Sequence, residues 1–598
     1  MGGRGRGIGS AMWAVVVAAA ILLVVAAASD PVEANAPARA GRRRALAASR
    51  RRRQLRRLRS AVPYFHHDRR RREQLVIEAA GPLTREEASS FAAAEVKVAT
   101  AAAQRRLGQR PSWPSFYDVS AKSGLSTEQT LKFGGPVIVD LDLDGHYDLV
   151  LPQHNDRNAT RVYWNKGDGT FSQGERVQPG WKDVHGITAG QLRLGGRQTL
   201  DLLVTLGGSN GESPSAPSML KVMKNKHLKE ESKKMGVGSR SMRGRSPRLI
   251  DLNKDGKLDL VFVNYAQTGN KGSRQVVYRN MGGGRMKMLR QTAFEYADAE
   301  NALVGDVDGD GIPDLITWPW PRLYRSTGAF MFEDRTEEML WTMGDAVTMA
   351  RGLKGIRAVA ELDFDNDGKM DLYFARAHKH NDVLLRNMGG YYVDVSRAAG
   401  IQHKGDHRGV TVGDVNNDGF IDVMVFRYGS TRLADLMLIN QGDGTFKPTI
   451  SHGAVVKGSN GRGDMGQFFL ADNDGKLDLL IGNGDHDLRT AAGTWSLFRN
   501  TLPDRWCGNY LIVEVGKAWN NSAAALGAVV KVDVGGGVVL TRRVGSAGAS
   551  YSQSNLSIVH VGIGKVRQVK SVEVRWTNGK AAKKSRVKAN SKIRLGVF

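Results

Sequence analysis

The sequence predicts an all-β protein: a seven-bladed β-propeller followed by a small all-β C-terminal domain, with a helical and basic N-terminal tail. Three observations predict it. An acidic nine-residue motif recurs every 51 to 60 residues, a second motif recurs in phase with it, and glycine is abundant, with 71 residues against 17 prolines in 598. Repeats of this period signal stacked supersecondary units, and short strands joined by tight turns need glycine.

The acidic motif first appears as Asp140-Leu-Asp142-Leu-Asp144-Gly145-His-Tyr-Asp148. It recurs at Asp251, Asn253, Asp255 and Asp259; at Asp306, Asp308, Asp310 and Asp314; at Asp363, Asp365, Asp367 and Asp371; and at Asp414, Asn416, Asp418 and Asp422. A further copy keeps Asp472, Asp474 and Asp478 but opens on Leu470. The interval from 140 to 251 is about double the others and hides a degenerate copy, where Gln191, Arg193 and Gly195 stand in for acids. The second motif is an apolar stretch ending at Asn165, Asn225, Asn280, Ser326, Asn387, Asn440 or Asn500. Two motifs, each present seven times, define seven units. A unit of this length holds about four strands, and radial packing buries both faces of such a sheet while leaving few exposed edges.

Each complete loop presents side-chain oxygens at positions 1, 3, 5 and 9, a backbone carbonyl at position 7 and a turn-forming glycine at position 6. Hard oxygen donors in this number suit Ca²⁺ and not the nitrogen and sulfur preference of Zn²⁺. Without an ion, the converging carboxylates would repel one another. Five loops are therefore expected to bind Ca²⁺ in a bracing role. The copy at 191 is expected to be empty, and the copy at 470 weakened or empty. An EF-hand is excluded, because position 9 runs directly into strand-like Leu149-Val-Leu151 or Leu260-Val-Phe262.

Over residues 115–500 the two motifs together resemble the FG-GAP repeats of integrin α-subunits and of the cartilage acidic protein family. Residues 506–598 read as a compact all-β domain with strands near 509–515, 529–534, 538–544, 557–561 and 569–576. Gly527-Ala528-Val529, Tyr551-Ser552-Gln553, Val561-Gly562-Ile563-Gly564 and Val572-Glu-Val-Arg-Trp576-Thr-Asn-Gly579-Lys580 are similar to the ASPIC/UnbV module that follows such repeats. The chain departs from that family in being basic and nearly free of cysteine, so no tissue role carries over.

The net charge is +26, of which residues 1–110 supply +14 from 22 Lys and Arg against 8 Asp and Glu. No nucleic-acid-binding signature accompanies this basicity, which argues against nucleic acid as the partner. Arg4 and Arg6 precede an apolar run over residues 11–28 that ends in small residues. That is the layout of a signal peptide, and its length also allows an uncleaved anchor; an organelle transit peptide is a third reading. The domains expected are residues 1–30 as signal or anchor, 31–110 as basic tail and stalk helix, 112–505 as propeller and 506–598 as the C-terminal domain. The expected location is the secretory pathway, extracellular or surface-anchored, with membrane contact through the N-terminal segment. Cys507 stands alone, so an intrachain disulfide is excluded.

Residues just past the second strand of each unit fall on the face opposite the acidic loops. His154, Tyr265, Trp318, Trp320, His378, His380, Tyr428 and His486 occupy such positions, and aromatic or imidazole groups on one rim suit a protein or glycan partner. No G-x-S-x-G elbow, H-E-x-x-H helix or P-loop is present. The reading is therefore a matrix- or adhesion-type binding module and not an enzyme. The alternatives are a propeller-based extracellular hydrolase or lyase, and a polybasic surface binder acting through residues 42–72.

Overall fold

The computed structural model describes residues 85–598, apart from short stretches at 109–111, 126–133, 154–158, 178–183, 196–199, 207–213, 266–272, 291–293, 341–353, 428–433, 457–462, 484–492 and 546–549, within which 548 is described. The apolar run and the arginine-rich tail lie outside the described residues. Among those described, no helix is long and apolar enough to cross a membrane. The chain divides into two units between Val98 and Ala99.

The predicted stalk helix spans Arg85–Leu107. It stops at Gly108, whose φ of 65° is the left-handed geometry that ends helices. Its last turn belongs to the second unit, where Ala103 and Leu107 join the core of the C-terminal domain.

Seven four-stranded antiparallel sheets follow, in a propeller-like arrangement. Their innermost strands are Val137–Val139, Val184–Gly190, Gly244–Ile250, Asn301–Gly305, Ile356–Leu362, His407–Gly413 and Gly463–Phe469. Six sheets are built from consecutive strands of their own repeat, except for a two-residue strand looped out of the fifth. The seventh borrows its outermost strand, Phe116–Asp118, which pairs with Trp495–Asn500. The second strands, such as Asp259–Asn264 and Asp422–Arg427, are buried at nearly every position because a blade packs on both sides.

The asparagines that end the second sequence motif tie neighbouring loops together. Asn165 donates through Nδ2 to Tyr147 O in its own loop and to Ala471 O in the loop of the seventh sheet. Asn280 reaches Leu258 O and Leu192 O, Asn387 reaches Met370 O and Val307 O, and Asn440 reaches Ile421 O and Phe364 O. Asn500 reaches Val415 O. Each of these five asparagines thus ties its sheet to position 2 of the preceding loop, and the bond from Asn165 to Ala471 links the first sheet to the last.

The C-terminal domain is a two-sheet sandwich. Asn509–Val515 lies between Ile558–Gly564 and Ser591–Leu595, the latter in a parallel pairing. The second sheet runs Val538–Arg543, Val529–Gly535, Gln568–Arg575 and Ala581–Lys588. Val530, Val532, Leu540, Ile563, Val572 and Trp576 fill the space between them. The last strand of each sheet escaped the sequence reading, because Ala581–Lys588 buries only two of its eight residues and shows no alternation.

This domain is interlocked with the propeller. Its segment around 550–555 runs along the innermost strands. There Gln553 N donates to Ile187 O at 2.8 Å, Asn555 N to Ile138 O at 3.0 Å and Ser552 N to Gly134 O at 3.0 Å. Gln553 Oε1 accepts from Leu249 N and Thr188 Oγ1, both at 2.8 Å. Inner strands otherwise present unpaired edge groups, and this segment satisfies them.

Candidate functional site

The acidic loops join the first and second strands of each sheet, and their backbone is set by the carboxylates themselves. In the first loop Asp140 accepts from Asp144 N and Gly145 N, both at 3.0 Å. Asp148 accepts from Leu141 N at 3.0 Å and from Asn165 N at 2.8 Å. Gly145 has φ of 91°, so the glycine at position 6 meets a conformation that a side chain would strain. The pattern repeats at Asp251, Asp259, Asp414 and Asp422.

Three loops bring three carboxylates together. Oxygens of Asp140, Asp142 and Asp148, of Asp306, Asp308 and Asp314, and of Asp363, Asp365 and Asp371 each lie within 4.8 Å of one another. Asp142 Oδ1, Asp306 Oδ1, Asp363 Oδ1 and Asp418 Oδ2 are buried without a hydrogen-bond partner, as ligand atoms aimed at a cation would be. Burial pushes Asp140 up to about 7, with Asp144 and Asp142 adding repulsion. Burial also raises Asp259 and Asp314 to about 7. In the fifth loop burial lifts Asp371 well above the carboxylate range, reinforced by Asp365, Asp367 and Asp363. A divalent ion reverses this by favouring the ionised form, and the donor set fits one.

Cationic side chains already approach several of these groups. Arg325 binds Asp308 at 2.6 Å and Asp310 at 2.8 Å, and Arg386 binds Asp365 at 2.8 Å and Asp367 at 2.9 Å. Lys226, from the second sheet, reaches Asp142 at 2.8 Å. The two degenerate loops carry cations of their own. Arg193 pairs with Asp201 and, at 2.6 Å, with Glu231. Arg499 pairs with Asp472 and lies 3.9 Å from Asp478. Asp201 opens its strand as Asp148 opens the corresponding one. It is the ninth-position acid displaced by a two-residue insertion, and the fixed spacing of the motif hid it.

The C-terminal domain rests on this loop face. Ala524 N donates to Gly256 O at 3.0 Å, and Gly508 N and Gly564 N donate to Asn416 O and Asn417 O at 2.9 Å. Thr577 Oγ1 donates to Asp251 at 2.5 Å, and Arg543 pairs with Glu361 at 2.8 Å. A cavity of about 730 Å³ remains between them, with Asp306, Asp310, Glu361, Lys531 and Arg543 in its walls.

On the opposite rim, His154, Tyr428 and His486 lie outside the described residues. Trp318 is buried at 3% exposure and donates through Nε1 to Arg357 O at 3.0 Å. It is a packing residue between two sheets, contrary to its expected place on the binding rim. Trp320 is exposed, as is His378, while His380 is half-buried and held below the usual imidazole range by burial and by Arg376. The Tyr265 ring lies 3.9 Å from the Arg243 guanidinium and 5.2 Å from that of Arg245. These arginines were missed because they lie at the start of the innermost strand, Arg243 just before it and Arg245 as its second residue, where nothing in the repeat flags them.

Below the rim, His407 Nδ1 contacts both oxygens of Asp382 at 2.8 Å, and Tyr373 donates to the same carboxylate at 2.7 Å. A methyl at Gly405 would sit 2.1 Å from His407 Nε2. The ring is buried and braces two sheets.

The fold and the loops define a protein of FG-GAP-like repeats with a C-terminal ASPIC and UnbV domain, and family models match both parts. The FG-GAP-like repeat matches residues 251–317 and 363–425, and ASPIC and UnbV matches 517–596. Among curated proteins the chain is similar to cartilage acidic protein 1 of Homo sapiens, at 23% identity over 482 residues, 75% of this chain and 69% of that protein. The protein of the same name from Xenopus tropicalis is 23% identical over 494 residues, 75% and 70% of the two chains. A solved Penicillium chrysogenum α-L-arabinanase overlays at a TM-score of 0.32 with 10% identity, covering 65% of this chain and 99% of its own. A likeness that slight bears on neither fold nor function.

Proposed function

We propose that this chain is an exported, calcium-stabilised propeller that works by binding a protein or glycan partner and not by catalysis. Its contact surface is the rim opposite the acidic loops. The observation that carries the reading is the rim itself: Tyr265 with its two arginines, exposed Trp320, and His378 follow the second strands of three consecutive sheets. Aromatic and arginine side chains dominate binding hot spots. The loop face is taken up by the C-terminal domain, which supports the same assignment. Loops opening at Asp140, Asp251, Asp306, Asp363 and Asp414 would hold Ca²⁺ through their carboxylates, and the ion would brace the turn.

The test is a printed panel of matrix glycans and purified matrix proteins, probed with the wild type and with Tyr265→Ala/Trp320→Ala/His378→Ala. Binding that is lost in the triple variant, with melting temperature unchanged, supports the rim. Binding of equal strength in both proteins refutes it.

A further inference from the structure

Outside the N-terminal tail, the basic excess belongs entirely to the C-terminal domain. Residues 111–505 hold 49 Lys and Arg and 49 Asp and Glu, whereas residues 506–598 hold 15 against 3. Within residues 565–594 the count is eleven against one, Glu573. Some cations of the domain are used internally: Arg543 pairs with Glu361, and Lys592 and Arg594 with Glu514. Those of the strand Ala581–Lys588 are not, apart from Lys583. Lys583, Lys584, Arg586 and Lys588 are exposed, and only Ala582 and Val587 point into the core. Glu573 lies 3.8 Å from Lys583 and is shared with Arg575 at 3.0 Å. Among the described residues no carboxylate pairs with Lys584, Arg586 or Lys588.

This strand is the outer member of its sheet, so one edge is unpaired. A lysine on such an edge discourages strand addition, but one serves that purpose, and here four of the six exposed residues are cations. At about 3.3 Å per residue, residues 583–588 present four positive charges along roughly 17 Å. We propose that this edge is a binding surface for an acidic polysaccharide, whose sulfate or uronate groups the ammonium and guanidinium donors receive. Residues 577–597 contain no aromatic side chain, so the platform on which single-stranded bases stack is absent. The element is also one strand of a sheet, not a helix or ribbon that enters a duplex groove. The surface is separate from the Tyr265 rim, and either can fail without the other.

The test uses the full chain against immobilised heparin and immobilised polygalacturonate, the first carrying sulfate and the second only carboxylate. Lys583→Gln/Lys584→Gln/Arg586→Gln/Lys588→Gln is expected to bind the preferred one at least tenfold more weakly near physiological salt. Its log-log salt slope should be shallower by about three, a little under one for each cation removed. Lys583→Arg/Lys584→Arg/Lys588→Arg, which keeps the charge, should bind as the wild type does. In the unmodified protein, bound polysaccharide should protect Lys583, Lys584 and Lys588 from acetylation, a readout independent of how any variant folds. Equal affinity of the glutamine variant and the wild type, or no protection at these lysines, overturns the proposal. Duplex DNA that displaces the polysaccharide at matched charge concentration also overturns it, in favour of a nucleic-acid surface.

Discussion

Arg193 offers a direct test of the idea that a degenerate loop carries its own cation. Its guanidinium joins Asp201, whose side chain is fully buried, and Glu231, at 6% exposure, while Arg193 itself is 17% exposed. Arg193→Met leaves Asp201 buried without its paired cation, and Glu231 with only Lys229 and Lys234, at 3.6 and 3.8 Å. Breaking a buried pair in this way costs about 3–5 kcal/mol. Solvent access to Arg193 and proton uptake by Asp201 favour the lower end, about 3 kcal/mol. Burial already raises Asp201 to about 6 against the opposing pull of Arg193, so in the variant it takes up a proton near neutral pH. The deficit is therefore largest above the variant's raised folded value and shrinks as pH falls toward about 6, where the wild-type Asp201 takes up its proton as well. With an unfolding entropy of about 2.1 cal/mol/K per residue, residues 99–598 as one unit lose about 1 °C per kcal/mol, hence about 3 °C. The assay is thermal unfolding followed by tryptophan fluorescence at pH 5 and pH 8, with calcium and with chelator. Arg193→Lys should recover part of the loss. A variant that melts with the wild type at pH 8 would falsify the substitution of arginine for an ion.

Three further outcomes are expected. Chelation should lower the wild-type melting temperature and added Ca²⁺ should restore it, each ion contributing about 2.7 kcal/mol at a hundredfold excess over Kd; a melting curve indifferent to chelator removes calcium from the account. Asn440→Ala leaves the carbonyls of Phe364 and Ile421 without their donor, for a loss of about 2–4 kcal/mol; a denaturant midpoint equal to that of the wild type would show that the inter-sheet tie carries no stability. Asp435 is buried and raised to about 7, despite bonds and charge from Arg427. A folded value above the unfolded one means that stability falls as pH rises from about 4 to 7, so Asp435→Asn should flatten that slope and gain over the wild type at pH 8, as pH-dependent melting will reveal; parallel curves refute it.

Much of the fold was legible because the repeat is written twice in each unit. A complete acidic loop must place oxygens at fixed offsets, so its internal spacing holds from copy to copy, while the asparagine follows it at an offset that varies between repeats. Both patterns survive in a chain whose other residues vary freely. The limits lay where a contact joins distant segments. Asp201 was missed because an insertion moved it out of register, although it still opens its strand beside Arg193. Trp318 reads as a rim residue by position, and only the neighbouring sheet buries it under Arg357.

Local chemistry thus determined the number of repeats, the position of the loops and the kind of ion they suit, since each follows from residues within a nine-residue span. Tertiary structure alone decided which carboxylates meet a guanidinium, which rim side chains stay exposed, and that Gln553 seats among the inner strands. The seating of Gln553 against Leu249, like that of Thr577 against Asp251, joins segments more than 100 residues apart in sequence, and no short-range pattern encodes their approach. The uneven charge could be counted from sequence. That it lies on an open sheet edge became visible only when Ala581–Lys588 proved to be the outermost strand.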